Sequence, residues 1–463
     1  MNVQPFVHDG LGNSSYLLQL SATTCALVDP DRSVDRYLHA AENRGWTIEA
    51  VLETHLHADF VSGARELESR TGARIFASSD AELQVPHKGV DDGEKLRLDG
   101  AEVEVIRSPG HTPEHVAFVV RRGSGPPALF SGGSLLVGGA ARTDLISPAL
   151  TADLTRQQLW SVRRAFVGLP DETLLLPTHG GGSFCSAGAG GPRQSTLGEE
   201  RRENPLLRRG PDEITADEFV GMFPAAPDYF FRLRDVNRRG PRLLREISSP
   251  RPLDPSEFYE AAPNSVIVDA RPQREFMAGH IPGALSNAFR ESFVTWIGWL
   301  LPPDASILFV PGPEGPEWLV EECLLAGYES FGGYLAGGMD AWQRARLPVA
   351  NAPLIDAPTA ARALRDGAIL LDVREESEWG VSHIPGARHI PLGSLARRIG
   401  EVPRDRPLIV TCGHGERSAT ALSILKAHGH HVPSNLDLGL SGWEAAGLPT
   451  EGSAPTRYTR RTA

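Results

Sequence analysis

Leu408-Ile-Val-Thr-Cys-Gly-His-Gly-Glu-Arg-Ser418 reads as a buried strand that delivers one cysteine, Cys412, into a short loop and then into a helix. The loop Cys412-Gly413-His414-Gly415-Glu416-Arg417 holds two glycines, so it can curl back and aim backbone N–H groups at the sulfur. Ser418-Ala-Thr-Ala-Leu-Ser-Ile-Leu-Lys426 continues as a helix, which puts the sulfur at a helix N-terminus. Amide dipoles there, together with Arg417, favour a thiolate, the form that attacks and carries sulfur. A lone cysteine after an apolar strand also has a plainer reading as a buried core residue.

The surroundings favour the chemical reading. Upstream stand Ile369-Leu-Leu-Asp-Val-Arg374 and Glu378-Trp-Gly-Val-Ser-His-Ile-Pro-Gly-Ala387, and downstream stands Leu438-Gly-Leu-Ser-Gly-Trp443. Over these residues the chain resembles the rhodanese sulfurtransferases. The resemblance implies an α/β domain with a central parallel sheet, spanning 355–455, in which Cys412 cycles between thiol and persulfide. Residues 251–350 repeat it in outline: Val266-Ile-Val-Asp-Ala-Arg271, Gly279-His-Ile-Pro-Gly-Ala284 and Leu335-Ala-Gly-Gly-Met-Asp-Ala-Trp342 answer the three segments above. The loop that corresponds to Cys412 reads Pro311-Gly-Pro-Glu-Gly-Pro316. Proline replaces the cysteine and removes N–H donors from the cradle, so this copy is expected to be catalytically silent. Cys323, in the helix that follows, is expected in the core.

A second chemical feature lies near the start. The strand-like Ile48-Glu-Ala-Val-Leu-Glu-Thr54 runs into His55-Leu-His57-Ala-Asp59, with a helix expected over 61–69. Two imidazoles and a carboxylate on a tight turn suit a divalent metal or iron centre. Ser108-Pro-Gly-His111-Thr-Pro-Glu-His115 and Pro177-Thr-His179-Gly180 bring further histidines to later strand ends. Histidines that repeatedly follow apolar strands converge on one sheet edge.

With Arg142-Thr-Asp144 and Ser195-Thr-Leu-Gly-Glu-Glu-Arg-Arg-Glu-Asn204, these segments resemble the metallo-β-lactamase fold and, within it, the persulfide dioxygenases related to glyoxalase II. The implied architecture is an α/β multidomain chain: an N-terminal αββα sandwich over 1–245, closed by a helical connector, and then two rhodanese domains. In the one-iron dioxygenases two histidines and an aspartate hold the metal. The matching histidines are His55 and His111, and the aspartate's place is taken by Gly133. His57, Asp59 and His179 then belong to the metal motif or its surroundings. Phe60 stands where hydrolytic relatives carry a histidine, which argues against a two-zinc hydrolase. Arg142 matches a family arginine near the substrate, with pairing to Asp144 as its structural reading, and Cys185 could lie close enough to accept sulfur. His8, His39 and His87 read as surface or packing residues.

The chain has 463 residues, 41% apolar and 22% charged, enough for two to four domains. A net charge of −12 opposes nucleic acid and anionic lipid as partners. No apolar run approaches a membrane span, and the start lacks an export pattern. Cys25, Cys185, Cys323 and Cys412 show neither metal spacing nor a disulfide framework. The expectation is a cytoplasmic enzyme of sulfane-sulfur metabolism, with one mononuclear iron, or zinc as the alternative. Its expected partners are a low-molecular-weight thiol persulfide, thiosulfate or sulfite, with a homo-oligomer left open. A non-oxidising sulfur carrier and a zinc-dependent thioester hydrolase are the alternatives.

Overall fold

The computed structural model describes residues 2–187, 191–430 and 433–452. The tract Ala187-Gly-Ala-Gly-Gly-Pro192 reads as loop from its glycines, and its positions 188–190 lie outside the described residues, as does the end of the last domain beyond 452. Contacts divide the chain into two units, one of Met1–Ile247 with Glu321–Glu329, the other of Ser248–Val320 and the residues from Ser330 on.

The first unit is built on two six-stranded sheets. One begins at Val3–His8 and adds each next strand in order to Lys88–Val90; the other runs from Lys95–Leu98 to Ser195–Thr196 in the same stepwise way. Tyr16, Leu52, Phe76, Val103, Phe118, Phe130 and Leu176, drawn from both sheets, fill one core. Strands buried on both faces need cover on their outer sides. Helices Asp35–Glu42 and Ala64–Thr71 supply it on one side through Tyr37 and Leu67, and Pro148–Ala165 on the other through Leu159 and Val162. The result is the αββα sandwich.

Two local expectations shift. The helix expected over 61–69 begins at Ala64, because the Ser62 hydroxyl accepts the Ala64 N–H at 3.0 Å while Asn237 accepts the Ser62 N–H at 2.9 Å, holding residues 60–63 as a loop. Within the connector, Asp212 to Met222 has a helical sequence pattern, but the structure forms a turn at Pro211–Glu213 and a short helix Ala216–Val220, restarted by the Thr215 cap on Glu218.

The second unit holds two five-stranded sheets, every pairing parallel. Numbered by sequence within each copy, both have the order 1-5-4-2-3. Shared order and strand direction make the repeat structural as well as sequential. In the second copy the strand Leu408–Thr411 is central, and the helix Glu416–Ala427 rises from its C-terminal end. Ala419 and Leu422 of that helix pack into the core of the first copy with Phe276, Met277 and Leu308. This explains why Ser418–Leu425 is buried without a polar face. Among the described residues no helix is long and apolar enough to cross a membrane.

Candidate functional sites: a histidine cluster and a cysteine loop

In the first unit, histidines end three different strands and their rings meet. His55 follows Thr47–Leu52, His111 follows Ala101–Arg107 and His179 follows Leu174–Pro177. Ring centroids lie 4.9 Å apart for His55 and His111, 5.3 Å for His55 and His179, and 5.1 Å for His111 and His179. All three are buried. Burial, then the neighbouring imidazoles, pushes His55 well below the usual histidine range; burial and His179 bring His111 down to about 3. These two rings are therefore neutral and carry lone pairs, as metal ligands must.

The other residues of the motif face elsewhere. The His57 Nε2 lies 3.3 Å from Asp29 and 3.4 Å from Glu53. Burial opposes its charge, but those carboxylates raise it to about 10, so His57 is an imidazolium between two acids. Its ring stacks on Phe60 at 4.3 Å, leaving no donor at that position for a second metal. Asp29 also accepts from the Thr54 N–H and hydroxyl, both at 2.7 Å, and from the Thr178 hydroxyl. Asp59 accepts the Asn13 amide at 2.7 Å and lies 3.2 Å from His179 Nδ1. Burial would raise Asp59, yet His179 and Asn13 hold it down at about 2. His115 accepts the Gly133 N–H at 2.9 Å and contacts Ser108 at 3.0 Å, so it pins the backbone of the Gly133 loop.

Among the described residues, three sets of side chains bring ligand atoms within reach of one ion: His55, His111 and His179; Asp29, His55 and His57; His57, Asp59 and His179. The second and third each need His57, which the acids already hold as a cation. The first consists of three imidazoles, and the His111 Nε2 is buried without a hydrogen-bond partner. The residues present therefore fit a bound metal ion. His179, expected in the surroundings of the metal, sits beside His55 and His111.

Arg142, considered for substrate binding, is directed inward instead. Its guanidinium donates to both Asp144 oxygens at 2.7 and 2.8 Å and to the carbonyls of Phe184 and Pro224 at 3.1 and 2.8 Å. A guanidinium committed to four protein acceptors has no fork left for a substrate anion, so the structural pairing replaces the substrate reading. Cys185 is near the cluster, its Sγ 3.9 Å from Asp59. Burial and that carboxylate push its thiol well above the usual range, so it is held protonated.

In the second unit the cysteine loop does curl back. The Gly415 N–H donates to the Cys412 Sγ at 3.0 Å, and the Ser418 hydroxyl lies 3.5 Å from it. Gly415 takes φ +111°, which favours glycine, and a Cβ there would lie 2.5 Å from the Gln273 side chain. Arg417 is held by Glu378 in a two-pronged pair at 2.5 and 2.7 Å, beside the sulfur. Gly413 and the exposed His414 form the outer turn, while the sulfur itself is buried. The first copy also reaches this loop: Gln273 donates to the His414 carbonyl at 3.3 Å, and Arg290 lies within electrostatic reach of Cys412, Glu416 and Arg417. Sequence reading missed Gln273, Arg290, Asn13, Asp29 and Asn237. Only Asn237 had any signal, as the one amide of the helix that closes the first unit, where it bonds the carbonyls of His57 and Phe60 at 2.8 and 2.9 Å.

Comparison with known proteins agrees with both halves. The metallo-beta-lactamase superfamily matches residues 8–179, and the rhodanese-like domain matches 254–345 and 356–446. A hydroxyacylglutathione hydrolase of Rhodospirillum rubrum is 32% identical over 250 residues, covering 48% of this chain and 92% of the relative. The chain belongs to the metallo-β-lactamase superfamily and carries two rhodanese-like domains. A metallo-beta-lactamase structure from Staphylococcus aureus is similar over 72% of this chain and 98% of its own, at 27% identity and a TM-score of 0.63. The ETHE1 structure from Myxococcus xanthus matches over 51% of this chain and 98% of its own, at 26% identity and a TM-score of 0.44. Metallo-β-lactamase and rhodanese-like domains in one chain support an enzyme of sulfur metabolism, and the histidine cluster of the first half is one that could hold a metal ion.

Proposed function

We propose that the chain handles sulfane sulfur, with Cys412 as the atom that carries it. In this reading the Cys412 thiolate attacks the outer sulfur of thiosulfate, the S–S bond breaks, sulfite leaves, and a cysteine persulfide remains; the reverse step returns thiosulfate. The observation that carries the reading is the main-chain donor of Gly415 at 3.0 Å from the Sγ, at the start of a twelve-residue helix. A persulfide anion needs such donors and no bulky side chain above it. Arg417, neutralised in part by Glu378, contributes positive charge without closing over the sulfur.

The first domain supplies the companion reaction: a low-molecular-weight thiol persulfide, oxygen and water give the thiol, sulfite and two protons. Iron held by the histidine cluster would supply the oxygen chemistry. The chain's own part is to hold His55, His111 and His179 away from bulk solvent and to fix the rings through Thr54, Arg142 and Asn13. Joining both activities in one chain keeps a reactive sulfur species close to its next acceptor.

A thioester hydrolase is favoured by one finding, the 32% identity to a hydroxyacylglutathione hydrolase. Phe60, stacked on His57, opposes it by removing a second-metal ligand. Oxygen uptake with a glutathione persulfide, set beside hydrolysis of a thioester panel with added zinc, separates the two. For the transferase, Cys412→Ser is expected to lower thiosulfate-dependent sulfur transfer roughly a thousand-fold or more. Mass spectrometry of donor-treated protein should find the extra sulfur on the peptide that contains residue 412. Transfer undiminished in Cys412→Ser would sink the reading.

A further inference from the structure

Resting on the reading of the first domain as a metal domain, we propose that its ion is held by three imidazoles, with His179 in place of the carboxylate that Gly133 lacks. The hydrogen bonds around each ring carry the argument, because they say which nitrogen bears the proton. The Arg142 carbonyl can only accept, so the 2.6 Å contact to His111 Nδ1 places a proton on Nδ1. The Thr54 hydroxyl gives its hydrogen to Asp29, so at 2.8 Å from His55 Nδ1 it accepts, and His55 is also protonated there. Asn13 Nδ2 donates to Asp59, which turns its oxygen toward His179 Nδ1 at 3.0 Å; Asp59 itself lies 3.2 Å from the same nitrogen. His179 therefore donates from Nδ1 as well.

All three rings thus turn a bare Nε2 inward. His55 and His179 bring theirs within 3.3 Å, where two lone pairs repel, and His111 Nε2 has no partner at all. A cation between them resolves that arrangement, and each ring already has the outer hydrogen bond that orients a ligating histidine.

Gly133 shows why the carboxylate has no room. A Cβ at this position would lie 2.4 Å from His111 Cδ2 and 2.8 Å from its Cγ, so any side chain there strikes the ring. The negative charge has moved outward one layer instead. Asp59, buried behind His179 at 3.2 Å from its Nδ1, makes a carboxylate–histidine–metal relay, which raises the basicity of the ligand without occupying a coordination position. His57 is engaged elsewhere, its Nε2 lying 3.3 Å from Asp29 and 3.4 Å from Glu53.

The test uses the full-length protein, stripped and reloaded anaerobically with cobalt(II) and, separately, with iron(II). Metal per chain, the cobalt(II) absorption spectrum and the imidazole count from X-ray absorption are the readouts. Wild type should bind one equivalent with three imidazoles. His179→Gln should weaken binding at least about tenfold and drop the count to two, and Asp59→Asn, which leaves the ring in place, should weaken it by about 10- to 100-fold. Gly133→Asp should lower occupancy instead of raising it. If His179→Gln binds cobalt(II) with wild-type affinity and spectrum, or Gly133→Asp gains metal, the three-imidazole assignment fails while the metal domain stands. If wild type takes up neither ion, the metal reading fails too, and the bare nitrogens are holding a proton.

Discussion

The two rhodanese-like copies share a scaffold down to single hydrogen bonds and differ in the loop that follows the central strand. In both, an aspartate at a strand end clamps the arginine two residues on, at 2.6 Å for Asp269 with Arg271 and for Asp372 with Arg374. Each arginine reaches a main-chain carbonyl, of Gly279 at 2.9 Å and Ser382 at 2.8 Å. A histidine stacks on the ring four residues earlier, His280 on Phe276 and His383 on Trp379. A tryptophan donates to a carbonyl six residues on, Trp342 to Pro348 and Trp443 to Pro449, each at 2.8 Å. The loops then diverge. Gly415 donates to a sulfur in one; three prolines without N–H groups line Pro311–Pro316 in the other. The framework is common to both copies while only one loop carries a cysteine, so scaffold and loop vary separately along one strand–loop–helix unit. What the first copy does for its neighbour is visible in Ala419 and Leu422, buried in its core, and in Gln273, which braces the His414 carbonyl.

The largest expected effect tests whether that framework matters equally in both copies. Asp269→Asn and Asp372→Asn each leave a buried arginine without its charge partner, and each is expected to destabilise the protein by about 3–5 kcal/mol in urea unfolding followed by tryptophan fluorescence. If Asp269→Asn is silent and Asp372→Asn is not, the first copy is not maintained as a folded support.

A smaller effect separates the copies by pH. Glu375 begins the helix where the first copy has Pro272. Burial raises Glu375 from its ordinary 4.5 to about 7, with Glu378 and Glu376 adding to the rise and Arg417 opposing it. The folded protein therefore holds a proton that the unfolded chain has released between those values, and stability falls as pH rises through about 7. Glu375→Gln removes the effect. Relative to wild type it should gain about 2 kcal/mol of stability at pH 8 over pH 4, after allowing for partial exposure. A constant difference across that range would mean that Glu375 ionises like a surface residue.

Much of this was legible in the sequence because it is local. The cysteine loop, the His-x-His-x-Asp turn and the repeated Asp-x-Arg pair each lie within a few residues, and periodicity places the strands that carry them. What could not be read depends on partners far along the chain. Arg142 is saturated by carbonyls 42 and 82 residues away. His57 is turned aside by Asp29, and the tautomer of His179 depends on Asn13, 166 residues distant. No spacing rule reports which nitrogen of a histidine is free. The same holds for Gly133, whose missing aspartate is plain in the sequence, whereas the ring of His111 beside it belongs to another strand end.

The smallest expected effect is none, and it tests the comparison most sharply. Pro311→Cys, placed in a Cys412→Ser background, returns a thiol to the strand end of the first copy but not the setting that activates one. The stretch between strand and helix has five residues there against four in the second copy, and the helix opens with Pro316. Glu317 stands where Arg417 does, and Glu275 answers Glu378, so two acids replace an ion pair. Negative charge and missing donors both disfavour a thiolate. Donor-treated double variant is expected to carry no extra sulfur on residue 311 by mass spectrometry, and to transfer none above background. Sulfur found there would mean that a cysteine at the strand end is sufficient, and that the donors around Cys412 are incidental to its chemistry.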